Sequence, residues 1–223
     1  MALAGPSTGP TDFLDYHSPE VQGFVGRVLG EGDGSQRDRA VKLYYAVRDG
    51  IFYEIYNADL SRQGLRASAV IRSGSGLCIH KSIVYAAAVR SIGIPSRLVL
   101  TDARNHVTSD RLRLFVGGDV FHYHCFVSIQ LEGRWLRATP VFNQRLCQLY
   151  GIRALEFDGR SDSLHHPFDA QGRKYMEFVR EHGEFDDLPY DQVIAGLRQA
   201  HPNLFAGGHR FRTGSLAADL AEH

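Results

Sequence analysis

The sequence lacks an excess of charge of either sign. Its 223 residues include 25 Lys and Arg against 25 Asp and Glu, so the formal net charge at pH 7 is zero. A chain without a basic excess has no long-range attraction to nucleic acid or to an anionic membrane surface. We therefore expect neither nucleic acid nor a membrane among its partners.

Cysteine and long apolar runs are also scarce. Cys78, Cys125 and Cys147 are an odd number and too few for a disulfide framework in a chain of this length. The first residues, MALAGPSTGPTD, have neither the basic nor the apolar segment of a secretory signal. No apolar run reaches the length of about 18 residues that a membrane span requires. These absences predict a cytoplasmic protein.

The remaining composition is that of an ordinary folded protein, with 43% hydrophobic residues. A chain of this length can bury a substantial core within one domain. We expect a single domain over residues 1–223, in which residues 1–10 are disordered because they are rich in Gly, Pro, Ser and Thr. Residues 151–223 alternate charged and loop-forming segments and are predicted to form a C-terminal helical and loop extension.

The stretch GSGLCIHKSIVYAAAVRSIGIPSR, residues 74–97, predicts a central buried helix. Residues 77–91 contain no Pro or Gly and are apolar on nearly every side, which is typical of a helix surrounded by protein. Gly93 suits the left-handed position just past a helix, and Pro95 cannot continue one. The helix is therefore predicted to end before Gly93, and a strand to follow over residues 96–102.

Cys78 falls in the first turn of this predicted helix. The unpaired N–H groups and the positive end of the helix dipole favour an anion there, so we expect a lowered thiol pKa and a nucleophilic Cys78. A cysteine in an apolar helix is more often a small packing residue. The glycine loop before Cys78 and a histidine farther along favour the nucleophile.

The other predicted elements place helices before the cysteine helix and an antiparallel sheet after it, which defines an α+β fold. Residues 120–131 alternate Phe121, Tyr123 and Cys125 on an apolar face with His122 and His124 on the other. The predicted elements are helices over residues 18–29 and 36–49, a loop over 103–119 that forms a lid or rim, a hairpin that turns at residues 132–133, and short helices over 173–180 and 190–200.

His124 is the candidate base for Cys78. A cysteine nucleophile requires a base within hydrogen-bond reach, and a third group must orient that base. If the hairpin turns at residues 132–133, His124 lies opposite Val141 and is flanked by Thr139 and Asn143 on its own face, at roughly 7 to 8 Å between backbones. We therefore predict that Asn143 orients His124 through its amide oxygen and that Thr139 is a secondary contact.

These residues resemble the transglutaminase-like superfamily. The resemblance rests on Gly-x-Cys opening a helix that ends in Gly-Ile-Pro-x-Arg, on HCFVSIQLEGRW, and on the earlier VRDGIFYEIY. It implies a papain-like core in which a cysteine-bearing helix packs on an antiparallel sheet, with Cys78 as nucleophile and His124 as its partner. The family usually has an Asp in the strand after the Trp, where this chain has Thr139.

The predicted function is acyl transfer at an amide bond through a Cys78 thioester, ending on water or on an amine. The enzyme would be a cysteine hydrolase or an acyltransferase without a cofactor, with a peptide or protein amide as substrate. One alternative is an inactive binding or scaffolding module of the same fold. A metal site built from Cys78, His80, His122 and His124 is disfavoured because residues two apart on a helix point in different directions. The adjacent His165 and His166 are assigned to a solvated loop, not to a metal site.

Overall fold

A computed structural model describes residues 8–32, 34–106, 109–164, 175–205 and 215–216. Helices precede a central helix, and an antiparallel sheet follows it, as the sequence predicts for an α+β fold. The elements in chain order are α1 (Pro19–Leu29), α2 (Gln36–Gly50), β1 (Phe52–Tyr53), α3 (Ala67–Ser73), β2 (Ser75–Gly76), α4 (Cys78–Ser91), β3 (Ser96–Asn105), α5 (Asp110–Val116), β4 (Val120–Leu131), β5 (Arg134–Ala138), α6 (Gln144–Leu149), β6 (Met176–Phe185), α7 (Tyr190–Ala200) and a 3-10 turn (Pro202–Leu204).

Helix α4 is the buried element at the centre of the molecule. Every residue from Cys78 to Arg90 is buried, because α1, α2, α3 and the sheet all pack on this helix. Gly93 has φ of 80°, and the next N–H, that of Ile94, returns to the carbonyl of Val89 at 3.0 Å. A side chain at Gly93 would strain this left-handed geometry. The predicted helix and its glycine end are confirmed.

The main sheet has four antiparallel strands in the order β5-β4-β3-β6. Leu131 lies opposite Arg134, so the hairpin has the predicted register. The two turn residues, Glu132 and Gly133, have φ of 50° and 77°, the sign of both central residues in a type I′ turn. Ala138 is the last residue of β5, so the ladder ends before the predicted pairing of His124 with Val141 is reached.

One face of the sheet packs on α4 and forms the main core. Leu98, Leu100, Cys125 and Val127 belong to this core cluster, and the hydroxyl of Ser82 on α4 donates to the carbonyl of Cys125 at 2.9 Å. Cys125 is fully buried on the apolar face, as the alternation predicts. The cysteine helix thus lies directly against the histidine strand.

A β-bulge at the start of β4 changes the predicted alternation. Thr101 pairs with His124 and Ala103 with Phe121, so His122 and Tyr123 of β4 oppose the single residue Asp102 of β3. Tyr123 occupies the bulge with φ of 56°. Thr101 and Ala103 share a face because they are two residues apart, so Phe121 faces the side of His124. The prediction that Phe121 shares a strand face with Cys125 is therefore wrong, because the extra residue in the bulge inverts the alternation of the side chains.

The predicted loop over residues 103–119 contains two regular elements. Strand β3 continues to Asn105, and α5 runs from Asp110 to Val116. Ser109 caps this helix by accepting a hydrogen bond from the Leu112 N–H at 3.2 Å. Capping and burial of the apolar side of α5 therefore outweigh the Arg-rich composition that predicts a loop.

The C-terminal region also contributes a strand to the main sheet. The described part of the helix predicted over residues 173–180 belongs instead to β6, which pairs with the free edge of β3. This prediction is wrong because tertiary pairing outweighs local propensity. The predicted helix over 190–200 is confirmed as α7. Residues 1–7 of the segment expected to be disordered, and the His165–His166 pair, lie outside the described residues.

Within the described ranges, no helix combines the length and the apolar character needed to cross a membrane.

Candidate active site

Cys78 is the first residue of α4, and a close backbone approach fixes the loop before it. Strand β2 pairs in parallel with β1, with Gly76 opposite Tyr53. A Cβ placed on Gly76 would lie 2.5 Å from the Cβ of His80. Only glycine fits this approach, because real Cβ contacts are longer. The Gly-Leu-Cys sequence therefore brings the chain into the helix start without a side chain at residue 76.

The thiol of Cys78 is neutral in the resting structure. Burial raises its pKa to about 11, although the backbone N–H groups of Cys125, Ile79 and Cys78 itself act to lower it. The prediction of a lowered pKa is wrong for this state. Only 8% of the residue is exposed, and the hydration that a thiolate would lose outweighs the stabilisation that the N–H groups provide.

His124 follows the bulge residue of β4 and lies opposite Thr101 on β3. It is 5% exposed, and burial lowers the pKa of its imidazole to about 4. The ring lies 6.4 Å, between centroids, from that of Phe178 on β6. At neutral pH, His124 is therefore an uncharged imidazole and has one nitrogen able to accept a proton.

The structure brings Cys78 and His124 to the same cavity, whose volume is about 30 Å³. This volume holds one or two water molecules. A neighbouring cavity of about 20 Å³ shares His124, Tyr53 and Phe121 in its wall. The lining of the first cavity also includes two further histidines, His122 and His201. A neutral thiol and a neutral imidazole thus face one small, mostly apolar space.

Thr139 lies just beyond the end of β5 and is almost fully buried. Its carbonyl oxygen accepts a hydrogen bond from the Tyr44 hydroxyl at 3.1 Å. Its own hydroxyl has no hydrogen-bond partner among the described residues. Pro140 follows and cannot donate to a ladder, which accounts for the end of the strand at Ala138. The residue at the family's Asp position therefore brings no charge to the site.

The structure does not bring the Asn143 amide to His124. Its Oδ1 accepts a hydrogen bond from the Tyr53 N–H at 2.7 Å, and its Nδ2 donates to the carbonyl oxygens of Ile51, at 2.8 Å, and Arg48. These bonds join α6 to the end of α2 and to β1. The amide is committed to the backbone, since the carbonyls at the end of a helix require donors. The predicted orienting role of Asn143 therefore has no support in this geometry.

The sequence did not predict that His122 would lie against a carboxylate beside the cavity, that of Asp102 on β3. His182 on β6 approaches Asp102 Oδ1 with its Nε2 at 2.7 Å, and His122 approaches Oδ2 with its Nδ1 at 3.2 Å. The Tyr123 N–H, which the bulge turns towards the carboxylate, donates to Oδ1 at 3.2 Å. An Asp at the end of an apolar strand was the available signal, but the bulge that brings His122 to it has no sequence marker.

A metal centre is not formed by the candidate ligands. His80 points away from Cys78, and its Nε2 lies 3.0 Å from the carbonyl oxygen of Asp59. Among the described residues, no group of three or more His, Cys, Asp or Glu side chains is arranged to hold a metal ion.

Comparison with known proteins gives a family match over residues 24–140. The matching model is that of the transglutaminase-like superfamily, and it covers slightly more than half of the chain. No curated protein matches the sequence.

Solved structures of similar shape include arylamine N-acetyltransferases and a candidate cysteine protease. The acetyltransferase of Salmonella typhimurium is 15% identical over 93% of this chain and 74% of its own, with a TM-score of 0.48. The candidate protease of Cytophaga hutchinsonii is 15% identical over 62% of this chain, with a TM-score of 0.46, and the acetyltransferase of Mycobacterium abscessus is 14% identical over 54%, with a TM-score of 0.38. The match spans only 43% and 42% of these last two proteins.

Proposed function

The chain belongs to the transglutaminase-like superfamily, and on that premise we propose that it is a thiol-dependent acyl-transfer enzyme with Cys78 as nucleophile and His124 as acid and base. The observation that carries the proposal is the shared cavity: the first residue of a buried helix and a histidine of the adjacent strand line the same space. A thiol and an imidazole that line one space are the pair of groups that cysteine acyl transfer requires.

The reaction starts from two neutral groups. The Cys78 sulfur attacks the carbonyl carbon of a peptide or protein amide while His124 takes the thiol proton. His124 then gives that proton to the leaving amine as the C–N bond breaks, which leaves a Cys78 thioester. Water or an amine completes a hydrolysis or a transfer. The thiolate and imidazolium arise together, so their mutual attraction offsets part of the cost of charge in a buried site.

Thr139 is our proposed polar contact for the His124 ring in place of the family's Asp. Its hydroxyl is buried just past the strand that pairs with β4. This hydroxyl has no hydrogen-bond partner among the described residues of the resting structure, so we propose that it accepts the ring N–H only during the reaction. It adds no charge and therefore cannot stabilise an imidazolium. Asn143 supports the site from a distance through its backbone bonds.

The experiment that tests this proposal is alkylation with iodoacetamide, followed by mapping of the modified cysteines. We expect Cys78 to react fastest, because Cys125 and Cys147 are more deeply buried. His124→Gln should slow this reaction at least tenfold, about 1.4 kcal/mol in barrier. His106→Gln is the control, since His106 is a histidine that lies outside the cavity, beside Glu177.

A non-catalytic binding module is the second candidate, and the raised pKa of Cys78 favours it. In such a module the thiol has no partner to take its proton. Cys78 would then alkylate no faster than Cys147, and His124→Gln would leave the rate unchanged. Either result would contradict the enzyme proposal.

A further inference from the structure

A second histidine reaches the cavity with its own carboxylate. His122 lines the cavity of Cys78, and its Nδ1 lies 3.2 Å from Oδ2 of Asp102. The Asp102 side chain is only 8% exposed, whereas 39% of the His122 side chain is exposed. A buried carboxylate behind a partly exposed imidazole is the arrangement that holds a general base in one orientation.

The contacts of His122 determine which of its nitrogens is free to act. The ionised carboxylate of Asp102 lies 3.2 Å from Nδ1 of His122, so its charge favours the ring hydrogen of the neutral imidazole on Nδ1. Burial acts to raise the pKa of Asp102, but hydrogen bonds from His182 and the Tyr123 N–H and the charges of His122 and His182 lower it below its ordinary value. Nε2 of His122 is then left with a lone pair for a proton.

The backbone of His122 is fixed by another histidine. Nδ1 of His201 lies 2.7 Å from the carbonyl oxygen of Val116, to which it must donate, so its Nε2 accepts the His122 N–H at 2.9 Å. Both nitrogens of His201 are used by the backbone, although this residue also lines the cavity. Of the two additional histidines in the wall, only His122 keeps a nitrogen for chemistry.

We propose that His122 is the base for the acyl acceptor, and that Asp102 is the residue that positions it. This inference rests on the proposed function, because it concerns the second half of the same reaction. It assigns the two histidines different steps: the buried His124 serves the thiol, and the partly exposed His122 meets the acceptor that arrives from solvent.

Nε2 of His122 takes a proton from water or from an amine as the acceptor oxygen or nitrogen forms a bond to the thioester carbonyl carbon. The C–S bond then breaks and its electron pair returns to sulfur. The proton held by His122 passes to the Cys78 thiolate, which restores the neutral thiol and the neutral imidazole.

Several titratable side chains lie around His122, in the cavity wall or on its carboxylate. They are Asp102 on β3, Tyr123 and His124 on β4, His182 on β6, Tyr53 on β1, Cys78 on α4 and His201 after α7. Among them, Asp102 is the group whose carboxylate lies against the His122 ring. Asp102→Asn should therefore slow deacylation much more than acylation, and Asp102→Glu should restore part of the deacylation rate, whereas a merely structural role would impair both steps alike.

The test is a burst experiment with p-nitrophenyl acetate, in which acylation releases p-nitrophenol and deacylation sets the steady rate. We expect His122→Gln to keep the burst, to slow the steady rate at least tenfold and to accumulate acetylated Cys78. Gln cannot take the proton, and the backbone bond to His201 survives the change. The burst amplitude counts folded, competent sites in each variant. His106→Gln should match the wild type in both phases.

Two results would overturn the inference while leaving the proposed function intact. The steady rate of His122→Gln could equal that of wild type. Alternatively, this variant could lose its burst, the result we expect for His124→Gln, which would make His122 a partner of the thiol. A wild-type protein that shows neither burst nor acetylated Cys78 would instead remove the proposed function itself, and the inference with it.

Discussion

Replacing Gly76 with alanine should destabilise the protein by about 1 to 3 kcal/mol, the usual cost of overpacking a core. The added methyl would lie 2.5 Å from the Cβ and 2.6 Å from the Cγ of His80. Non-bonded carbons rest at about 3.5 to 4.0 Å, so roughly 1 Å of movement is required. His80 cannot swing aside, because its Cβ is set by the helix backbone and its ring lies against the Asp59 carbonyl at 3.0 Å.

Urea unfolding provides the assay for this change. With a slope of about 2 kcal/mol per molar, the midpoint should fall by about 0.5 to 1.5 M. Gly26→Ala is the matched control, because Gly26 is exposed in α1 and nothing lies within 4 Å of its added methyl. That change should instead stabilise the protein by about 0.5 to 1 kcal/mol. An unchanged midpoint for Gly76→Ala would refute the close approach that fixes the entry to Cys78.

Three further changes address stability. Asn143→Ala should cost about 2 to 4 kcal/mol in urea unfolding, because it leaves a buried N–H and two carbonyls without the amide, and a wild-type midpoint would contradict this role. Gly93→Val should lower the free energy of unfolding by more than about 1 kcal/mol, and by more than Gly93→Ala does. No atom lies within 4 Å of an added Cβ, so the cost comes from the φ of 80°, which a β-branched side chain opposes more than a methyl group does. Burial lowers the pKa values of His80 and His124 to about 4, so their contribution to stability is complete above about pH 6.5 and is lost as the pH falls through about 4. When the pH falls from about 7.5 to about 4.5, protonation of each histidine should lower the free energy of unfolding by about 2 to 3 kcal/mol. A free energy of unfolding that does not change over this pH range would show that these rings are not buried in the neutral form.

The features that sequence could predict are those with local signals. Gly93 followed by Pro95 fixes the end of α4, and the Glu132–Gly133 turn fixes the hairpin register. Each signal acts through the backbone conformation of one or two residues, so no distant contact can easily overrule it.

The features that escaped prediction depend on distant contacts. Tyr123 adopts its bulge conformation where its ring stacks on His182, 4.4 Å away between centroids, and packs beside Gly196 of α7. Asn143 meets the carbonyls at the end of α2, some ninety residues earlier in the chain. The pKa of Cys78 reflects burial by the whole fold, which outweighs the local effect of the helix start. Such effects become visible only once the chain has folded.

The central claim is that an acyl group passes through the sulfur of Cys78. The most direct measurement is mass spectrometry of the protein quenched during its reaction with p-nitrophenyl acetate, followed by peptide mapping. The claim predicts an acetyl group on the peptide that contains Cys78, its absence in Cys78→Ser under the same quench, and its slower formation in His124→Gln. An acetyl group on Cys147 or on a lysine, with Cys78 unmodified in the wild type, would contradict it.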